Sequence, residues 1–296
     1  MIKHGWLNID KHAEVSSARV VAAVRKVLNM KKVGHAGTLD PIATGVLPIA
    51  FGEATKTVRF VQDREKEYVV TLKFGEETDT YDKEGKVVAT SSNYPSLGQV
   101  KAVLKNFTGK IKQAPPVYSA IKVEGRRAYD LARKGKLSSL PKREVEIKKI
   151  KVESFDEAGH EVTLRVLCSK GTYIRSLVHD LAKSLGSCGH VTELRRTRVG
   201  MFNDKKIFSL VKLEKIVHND QLEDAVLPTW KVLDDILAIN FSQEEGEKIV
   251  HGVAIQLPEQ KILFNKDCVL AKVDRVPIGI GKIDGQYFKP KTIFNF

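Results

Sequence analysis

Cysteine is scarce in this sequence, which has three in 296 residues, at Cys168, Cys188 and Cys268. The number is odd, the positions are far apart and no CxxC pair occurs, which argues against both a disulfide framework and a zinc site. A chain without disulfides fits a reducing compartment, and we therefore expect a cytoplasmic protein.

Long hydrophobic runs are also missing. No stretch approaches the roughly 18 consecutive apolar residues of a membrane span, and residues 1–12 lack the apolar core of a signal peptide. The chain has no GxGxxG, P-loop, HExxH or GxSxG motif. No second His or Cys stands at metal-ligand spacing from His35. The sequence therefore predicts a protein without a membrane segment, a bound metal or a cofactor.

Charge is abundant and unevenly placed. The formal net charge is +13, and residues 110–151 alone hold 13 lysines and arginines against 4 acidic residues. Clustered basic residues attract phosphates and release their counterions, so a nucleic acid is one candidate partner. A plain basic surface is an equally simple explanation of the composition alone.

Hydrophobic periodicity changes between the helical and the strand type along the chain. Residues 16–29 and 173–186 place apolar residues on one helical face, whereas residues 66–75 and 161–169 alternate as strands do. Helices and strands intermix without a βαβ repeat. The sequence therefore predicts the α+β class, with a mixed, largely antiparallel central sheet and flanking helices.

Two stretches do not follow this pattern of hydrophobic periodicity. Residues 113–141 combine three prolines with scattered charge and much of the basic surplus, and a stretch of this length without regular structure is usually functional or mobile. After about residue 240, short alternating runs are separated by turn residues. This pattern predicts a small β domain over 240–296 beside a larger domain over 1–239.

The segment VGHAGTLDPIATGVLP, residues 33–48, holds three glycines and two prolines and carries two titratable side chains, His35 and Asp40. Glycine and proline disfavour helices by about 1 and 3 kcal/mol, and proline is excluded from central strands, so we predict a loop. Asp40 precedes Pro41, a pair typical of a helix N-terminus. Alternatively, the glycine-framed loop presents Asp40 as a nucleophile or base.

Three further side chains each have a structural and a chemical interpretation. Arg175 lies in the first turn of a predicted helix; it either faces solvent or points inward to a carboxylate, which it would keep ionised. Tyr68 is either a core tyrosine or a surface for a nucleobase, a stacking contact worth about 1–3 kcal/mol. His35 is a ligand, a base or a polar loop residue.

The glycine-rich segment resembles the signature of the bacterial tRNA pseudouridine-55 synthases, the TruB family. Four other segments occur in the order that this family has, and the similarity extends from about residue 5 to 210. The C-terminal part resembles the PUA-type RNA-binding barrel of family members. The five segments are GHAGTLDPIATGVLP (34–48), KEY (66–68), QAPPVYSAIKVEGRRAYDLARKG (113–135), CSKGTYIRSLVHDLAKSLG (168–186) and HVTELRRTRVGMF (190–202).

The resemblance implies a role for each matching residue. Asp40 would be the catalytic aspartate and Arg175 its ion-pair partner. Tyr68 would stack on the target uracil, and Leu194 would form an apolar wall of the base pocket. His35 would touch the RNA near the position that the flipped nucleotide vacates.

The activity implied by the resemblance is isomerisation of uridine 55 in the T-loop of tRNA, by cleavage of the C1′–N1 bond, rotation of the base and formation of a C5–C1′ bond. The basic insert at about 113–141 would close over the T-arm. The enzyme would act as a monomer without a cofactor or a protein partner. Two alternatives are a tRNA-binding folding chaperone that needs no catalysis and a guide-RNA-dependent relative that modifies ribosomal RNA.

The similarity is interrupted near the N-terminus, where the family pattern is Asp-Lys-Pro, any residue, Gly, any residue, Thr-Ser. Asp10, Lys11 and Ser17 match, but His12 stands in place of the proline and Glu14 in place of the glycine. The geometry of this turn, and any RNA contact that depends on it, is where the chain is expected to differ from the family.

Overall fold

The structure is a computed structural model, and it describes residues 2–119, 121–123, 125–137, 139–258 and 266–296. None of the helices in these ranges is long and apolar enough to cross a membrane. The strands are β1 (Gly5–Lys11), β2 (Val33–His35), β3 (Thr44–Phe51), β4 (Lys66–Phe74), β5 (Glu76–Thr78), β6 (Val87–Thr90), β7 (Gly109–Gln113), β8 (Lys122–Val123), β9 (Arg126–Arg127), β10 (Arg143–Asp156), β11 (Glu161–Cys168), β12 (Gly189–Val199), β13 (Phe202–Asn203), β14 (Ala238–Phe241), β15 (Ile255–Gln256), β16 (Lys266–Val273), β17 (Val276–Asp284) and β18 (Tyr287–Ile293). The helices are α1 (Ser17–Val27), α2 (Val58–Gln62), α3 (Leu97–Leu104), α4 (Ala128–Arg133), α5 (Ile174–Ser184), α6 (Leu210–His218), α7 (Leu222–Ala225) and α8 (Gln243–Val250).

One large sheet forms the centre of the molecule. Its strands follow the order β1–β3–β12–β4–β11–β10–β7, with β2 paired to β3 and β13 paired to β12. Neighbouring strands are antiparallel except β3 and β12, which run parallel where Thr44 lies opposite Arg195. Helix α5 packs against β4 and β12. The predicted α+β class, with a largely antiparallel sheet and flanking helices, is confirmed.

Strand β4 shows how the sequence pattern builds this core. Tyr68, Val70, Leu72 and Phe74 recur at every second residue, and all four are at most 8% exposed. They share one cluster with the apolar residues of α5, which ends before Gly186 at a φ of +69°. Burial of each such side chain contributes about 1.5–3 kcal/mol. The alternating residues of β4 and the apolar face of α5 therefore stabilise the same hydrophobic core.

The prediction of a loop over 33–48 is wrong at both ends. Strand β2 includes its first three residues and β3 begins at Thr44, so the loop is limited to residues 36–43. Pro48 lies inside β3. It is tolerated because, on the edge of β3 opposite β1, β12 pairs only with Thr44 and Gly45 and β2 only with residues 49–51, so Pro48 lies between the two ladders.

The remaining predicted regions are more regular than their composition indicates. The stretch 113–141 contains the short hairpin β8–β9 and helix α4. The last five strands form a second sheet in the order β14–β16–β17–β18–β15, which curls into a half-barrel. This agrees with the small C-terminal β-barrel that the resemblance implies. The domain boundary at 239/240 stays a prediction.

Candidate active site

Asp40 lies in the loop between β2 and β3, and its side chain is 36% exposed. The chain turns here without forming a helix, because the N–H of Ala43 donates to the Asp40 carbonyl at 3.1 Å and β3 starts at the next residue. The interpretation of Asp40 as a helix cap is therefore wrong. Its carboxylate is available for contacts outside its own loop.

Two side chains of the N-terminal segment form hydrogen bonds to the backbone of this loop. Ser17 accepts the N–H of Leu39 at 2.8 Å and donates its hydroxyl to the Leu39 carbonyl at 3.0 Å. Lys11 donates from Nζ to the carbonyl of Pro41 at 3.1 Å. Lys11 is completely buried, and burial lowers its pKa to about 8. The two side chains hold the backbone on both sides of Asp40.

The turn where the sequence departs from the family pattern keeps a conformation that suits glycine. Glu14 has a φ of +64°, in the left-handed region that costs a residue with a Cβ about 1–2 kcal/mol. Its N–H donates to the Pro41 carbonyl at 2.9 Å. The turn therefore still supports the Asp40 loop.

Glu14→Gly is accordingly expected to raise the free energy of unfolding by about 0.5–1 kcal/mol, because the strain relieved exceeds the larger entropy loss of glycine. Urea unfolding checks this as a shift of the midpoint at constant slope. Glu157→Gly is the matched control, since Glu157 is another exposed turn glutamate whose φ lies outside the positive region. It should lower the stability. Equal effects of the two substitutions would argue against strain at Glu14.

A buried arginine that sequence reasoning missed supports the other side of the loop. Arg196, on β12, is 1% exposed, and its guanidinium donates to the carbonyls of Gly37 at 2.9 Å and Val46 at 2.8 Å. The backbones approach so closely that a Cβ on Gly45 would lie 2.3 Å from the Arg196 carbonyl. The sequence did carry a signal: of two adjacent arginines in an alternating strand, one must face inward.

Arg175 is buried beneath Asp40, so its interpretation as a solvent-exposed arginine is wrong. The side chain is 4% exposed; Nε donates to Asp40 Oδ2 at 2.9 Å and Nη1 lies 3.2 Å from Asp82 Oδ2. Its other N–H groups donate to the carbonyls of Thr80 at 2.8 Å and Tyr118 at 2.9 Å. One planar guanidinium thus joins two carboxylates and fixes the Asp40 side chain.

A cavity of about 380 Å³, the first cavity, opens beside this ion pair. Its volume falls within the range of about 300–1,000 Å³ that is usual for small-ligand sites. Asp40 and Arg175 line it together with Tyr68 from β4 and Leu194 from β12. Burial raises the pKa of the Tyr68 hydroxyl, so the phenol stays neutral. The first cavity thus combines an aromatic ring, an apolar side chain and a carboxylate.

His35 lies on the other side of the ion pair. It ends β2 and lines a second cavity of about 520 Å³, which shares Asp40 and Arg175 with the first cavity but not Tyr68 or Leu194. Burial lowers the pKa of the His35 imidazole, and its Nδ1 is buried without a hydrogen-bond partner among the residues described. The structure thus places His35 in one cavity with Asp40 and Arg175 but apart from Tyr68 and Leu194, and its contact with RNA stays a prediction.

The basic insert 113–141 contributes to the lining of both cavities. Ile121 lines the first cavity, while Tyr118 and Arg127 line the second. Gln113, at the start of the insert, donates to the Tyr173 carbonyl at 3.0 Å and accepts the Tyr173 N–H at 2.8 Å. The insert is therefore anchored beside Arg175 as part of the site, and its closure over a T-arm stays a prediction.

Within the ranges that the structure describes, no three His, Cys, Asp or Glu side chains are arranged to hold a metal ion. The expectations that the protein uses neither a metal nor a cofactor stay predictions.

Comparison with known families shows which proteins this chain is similar to. Residues 25–174 match the family model "TruB family pseudouridylate synthase (N terminal domain)" and residues 175–237 match "tRNA pseudouridylate synthase B C-terminal domain". The chain belongs to the TruB family of pseudouridylate synthases. The resemblance of the five sequence segments to the TruB family is thereby confirmed.

Curated TruB-family relatives match over most of the chain. The tRNA pseudouridine synthase B of Caulobacter vibrioides is 48% identical over 87% of this chain and 83% of its own length. The protein of the same name from Anaplasma phagocytophilum is 44% identical over 99% of this chain and 100% of its own length.

Solved structures of the same fold come from larger assemblies. One is the archaeal box H/ACA Nop10–Cbf5 complex, with a TM-score of 0.76 and 25% identity over 99% of this chain and 87% of that chain. Another is a Cbf5–Nop10–Gar1 complex, with a TM-score of 0.76 and 26% identity over 99% of this chain and 85% of that chain. The structural likeness to these chains thus includes the C-terminal half-barrel.

Proposed function

We propose that this chain isomerises uridine 55 in the T-loop of tRNA to pseudouridine. Family membership and relatives named tRNA pseudouridine synthase B support the coarser statement that it forms pseudouridine in tRNA. The observation that carries the proposal is the first cavity, where Asp40, paired to the buried Arg175, lies with Tyr68 and Leu194.

Binding has to bring a base that is stacked inside a folded RNA into this cavity. Extrusion of the base costs a few kcal/mol, and contacts between basic side chains and phosphates offset it. The basic insert lies within residues 110–151, which hold 13 basic against 4 acidic residues, and its Ile121 lines the cavity. Selection of the T-loop would then depend on RNA shape, as is usual for RNA recognition.

Chemistry begins when Asp40 promotes cleavage of the C1′–N1 bond. Its carboxylate either attacks C1′, with oxocarbenium character as in a retaining glycosidase, or takes a proton from the sugar. Arg175 holds the carboxylate in place for both routes. The freed base rotates against Tyr68, C5 bonds to C1′ and the C5 proton is lost. The apolar part of the lining, formed by Tyr68, Ile121 and Leu194, limits the access of water that could hydrolyse an intermediate.

Position-specific detection of pseudouridine tests this proposal. An unmodified tRNA transcript is incubated with the protein, treated with a carbodiimide that marks pseudouridine, and read by primer extension. We expect one new stop, at the T-loop uridine, and none in a transcript that has cytidine there. A stop at a different uridine would contradict the position, and no stop would contradict the activity.

The basic surface also fits a tRNA-binding folding chaperone, which is the second candidate function. This candidate does not require the ionised side chain of Asp40, whereas the isomerase does. Asp40→Asn therefore separates the two, as argued in the Discussion.

A further inference from the structure

Two buried cations besides Arg175 line the first cavity and have no role in the reaction described above. Lys66, the first residue of β4, is 8% exposed, and Arg196 is 1% exposed. Both approach Gly37: a Cβ built there would lie 3.4 Å from Arg196 Nη1 and 3.9 Å from Lys66 Cε. Tyr68 follows Lys66 on the same strand and lies opposite Arg196 in the register of β4 and β12. The two cations thus flank the ring that is expected to hold the base.

The hydrogen-bond partners that the structure gives these cations are neutral. Lys66 Nζ donates to the carbonyls of Gln62 and Arg64, both at 2.6 Å. Arg196 donates to the carbonyls of Gly37, Thr38 and Val46 and also bonds to the Tyr68 hydroxyl. An ammonium has three N–H donors and a guanidinium five, so each keeps an unused donor. Carbonyl oxygens satisfy hydrogen bonds but leave a buried positive charge uncompensated. Burial and the neighbouring Arg196 charge lower the pKa of Lys66 to about 8.

Glycosidic cleavage produces an anion in the same cavity. When the C1′–N1 bond breaks, its electron pair leaves with uracil, and the negative charge spreads over N1, O2 and O4. This holds whether Asp40 forms a bond to C1′ or removes a sugar proton. The anion then disappears as the C5 electron pair bonds to C1′ and the C5 proton leaves. Fixed charges that meet a charge present only in the transition state and intermediate accelerate the reaction.

We propose that Lys66 and Arg196 form a cationic subsite that stabilises the uracil anion released by glycosidic cleavage. The proposal rests on the proposed function, because it requires a uridine in the first cavity. A backbone phosphate is the competing anion, but both cations are buried. Lys170, at the rim of the same cavity, has a side chain that is 62% exposed and is better placed for a phosphate.

The test changes how much stabilisation the leaving base needs. Two tRNAs carry a single 32P label beside the T-loop nucleotide, which is uridine in one and 5-fluorouridine in the other. Fluorine withdraws electrons and makes the departing base a weaker base, so it depends less on an external cation. Loss of the parent nucleotide is followed under single-turnover conditions, after nuclease digestion and chromatography, for wild type, Lys66→Met, Lys66→Arg and Lys170→Met.

Lys66→Met is expected to slow cleavage of uridine by about 100-fold, the usual effect of removing one preorganised donor to a developing oxyanion, and cleavage of 5-fluorouridine by about tenfold or less. Lys66→Arg, which keeps the charge, should recover most of the uridine rate. Lys170→Met should slow both substrates by the same factor. Should Lys66→Met fail to fold, Lys66→Gln replaces it, because glutamine keeps donors without the charge.

Equal rate losses on the two bases would overturn the proposal, since a merely structural role of Lys66 does not distinguish them. A Lys66→Arg variant as slow on uridine as Lys66→Met would overturn it as well. Conversion of both labelled nucleotides by the wild type shows that the proposed function holds in either case. Conversion of neither would overturn the function and the subsite together.

Discussion

Asp40→Asn is expected to lower the rate of pseudouridine formation by at least about 1,000-fold, while the dissociation constant for tRNA changes by less than about threefold. Asparagine has nearly the same shape as aspartate and can still accept the Arg175 hydrogen bond, but it is neither a nucleophile nor a base. Single-turnover conversion of tRNA and a filter-binding titration measure the two quantities.

Asp284→Asn is the control for this substitution. Asp284 is a surface carboxylate of the C-terminal sheet that pairs with two lysines, and its loss should leave the conversion rate unchanged. Complementation of a deletion strain separates the two candidate functions. If the Asp40→Asn protein restores growth under conditions where the strain needs the gene, the chaperone function accounts for that need, whereas failure to restore it supports catalysis.

Arg175→Met is expected to remove activity to a similar extent and also to destabilise the fold by about 3–5 kcal/mol. The second effect arises because the Asp82 side chain is 5% exposed and would be left buried without its cation. The activity effect arises because Asp40 would lose the side chain that holds it at 2.9 Å. Urea unfolding and single-turnover conversion measure the two effects.

Arg165→Met provides the matched control. Arg165 also contacts two carboxylates, those of Glu67 and Glu153, but its side chain is 37% exposed. Exposed ion pairs typically contribute about 0–1 kcal/mol, so this substitution should destabilise the fold only slightly. Equal destabilisation by the two substitutions would mean that the burial of Arg175 does not explain its contribution to the free energy of unfolding.

The sequence located the site because its chemistry is concentrated in short segments. The glycine-rich loop singled out Asp40, and the resemblance to the TruB family assigned it a partner 135 positions away. The structure places Nε of that partner 2.9 Å from the Asp40 carboxylate. Residue patterns alone left Arg175 undecided. Amphipathicity indicates which face of a helix is apolar, but it does not reveal a buried carboxylate that a cation on that face can meet.

The residues that hold the Asp40 loop in place were harder to predict, because they depend on contacts between segments that are distant in the sequence. Arg196 and Gly45 meet because β12 runs parallel to β3 for two residues, a pairing that no local pattern encodes. The same holds for the contact between Ser17 and Leu39. Proline statistics also misled the prediction at Pro48, since a strand that is paired incompletely accepts a residue that a fully paired strand excludes.

Tritium release is the most direct test of the central claim that Asp40 isomerises a T-loop uridine in the first cavity. A tRNA transcript labelled with tritium at uridine C5 is mixed with purified protein, and formation of the C5–C1′ bond must expel the label from the target. We predict release that is close to stoichiometric with tRNA for the wild type, with none for Asp40→Asn and none when the T-loop uridine is cytidine. Undiminished release by Asp40→Asn, or no release by a wild-type protein that binds the tRNA, would contradict it.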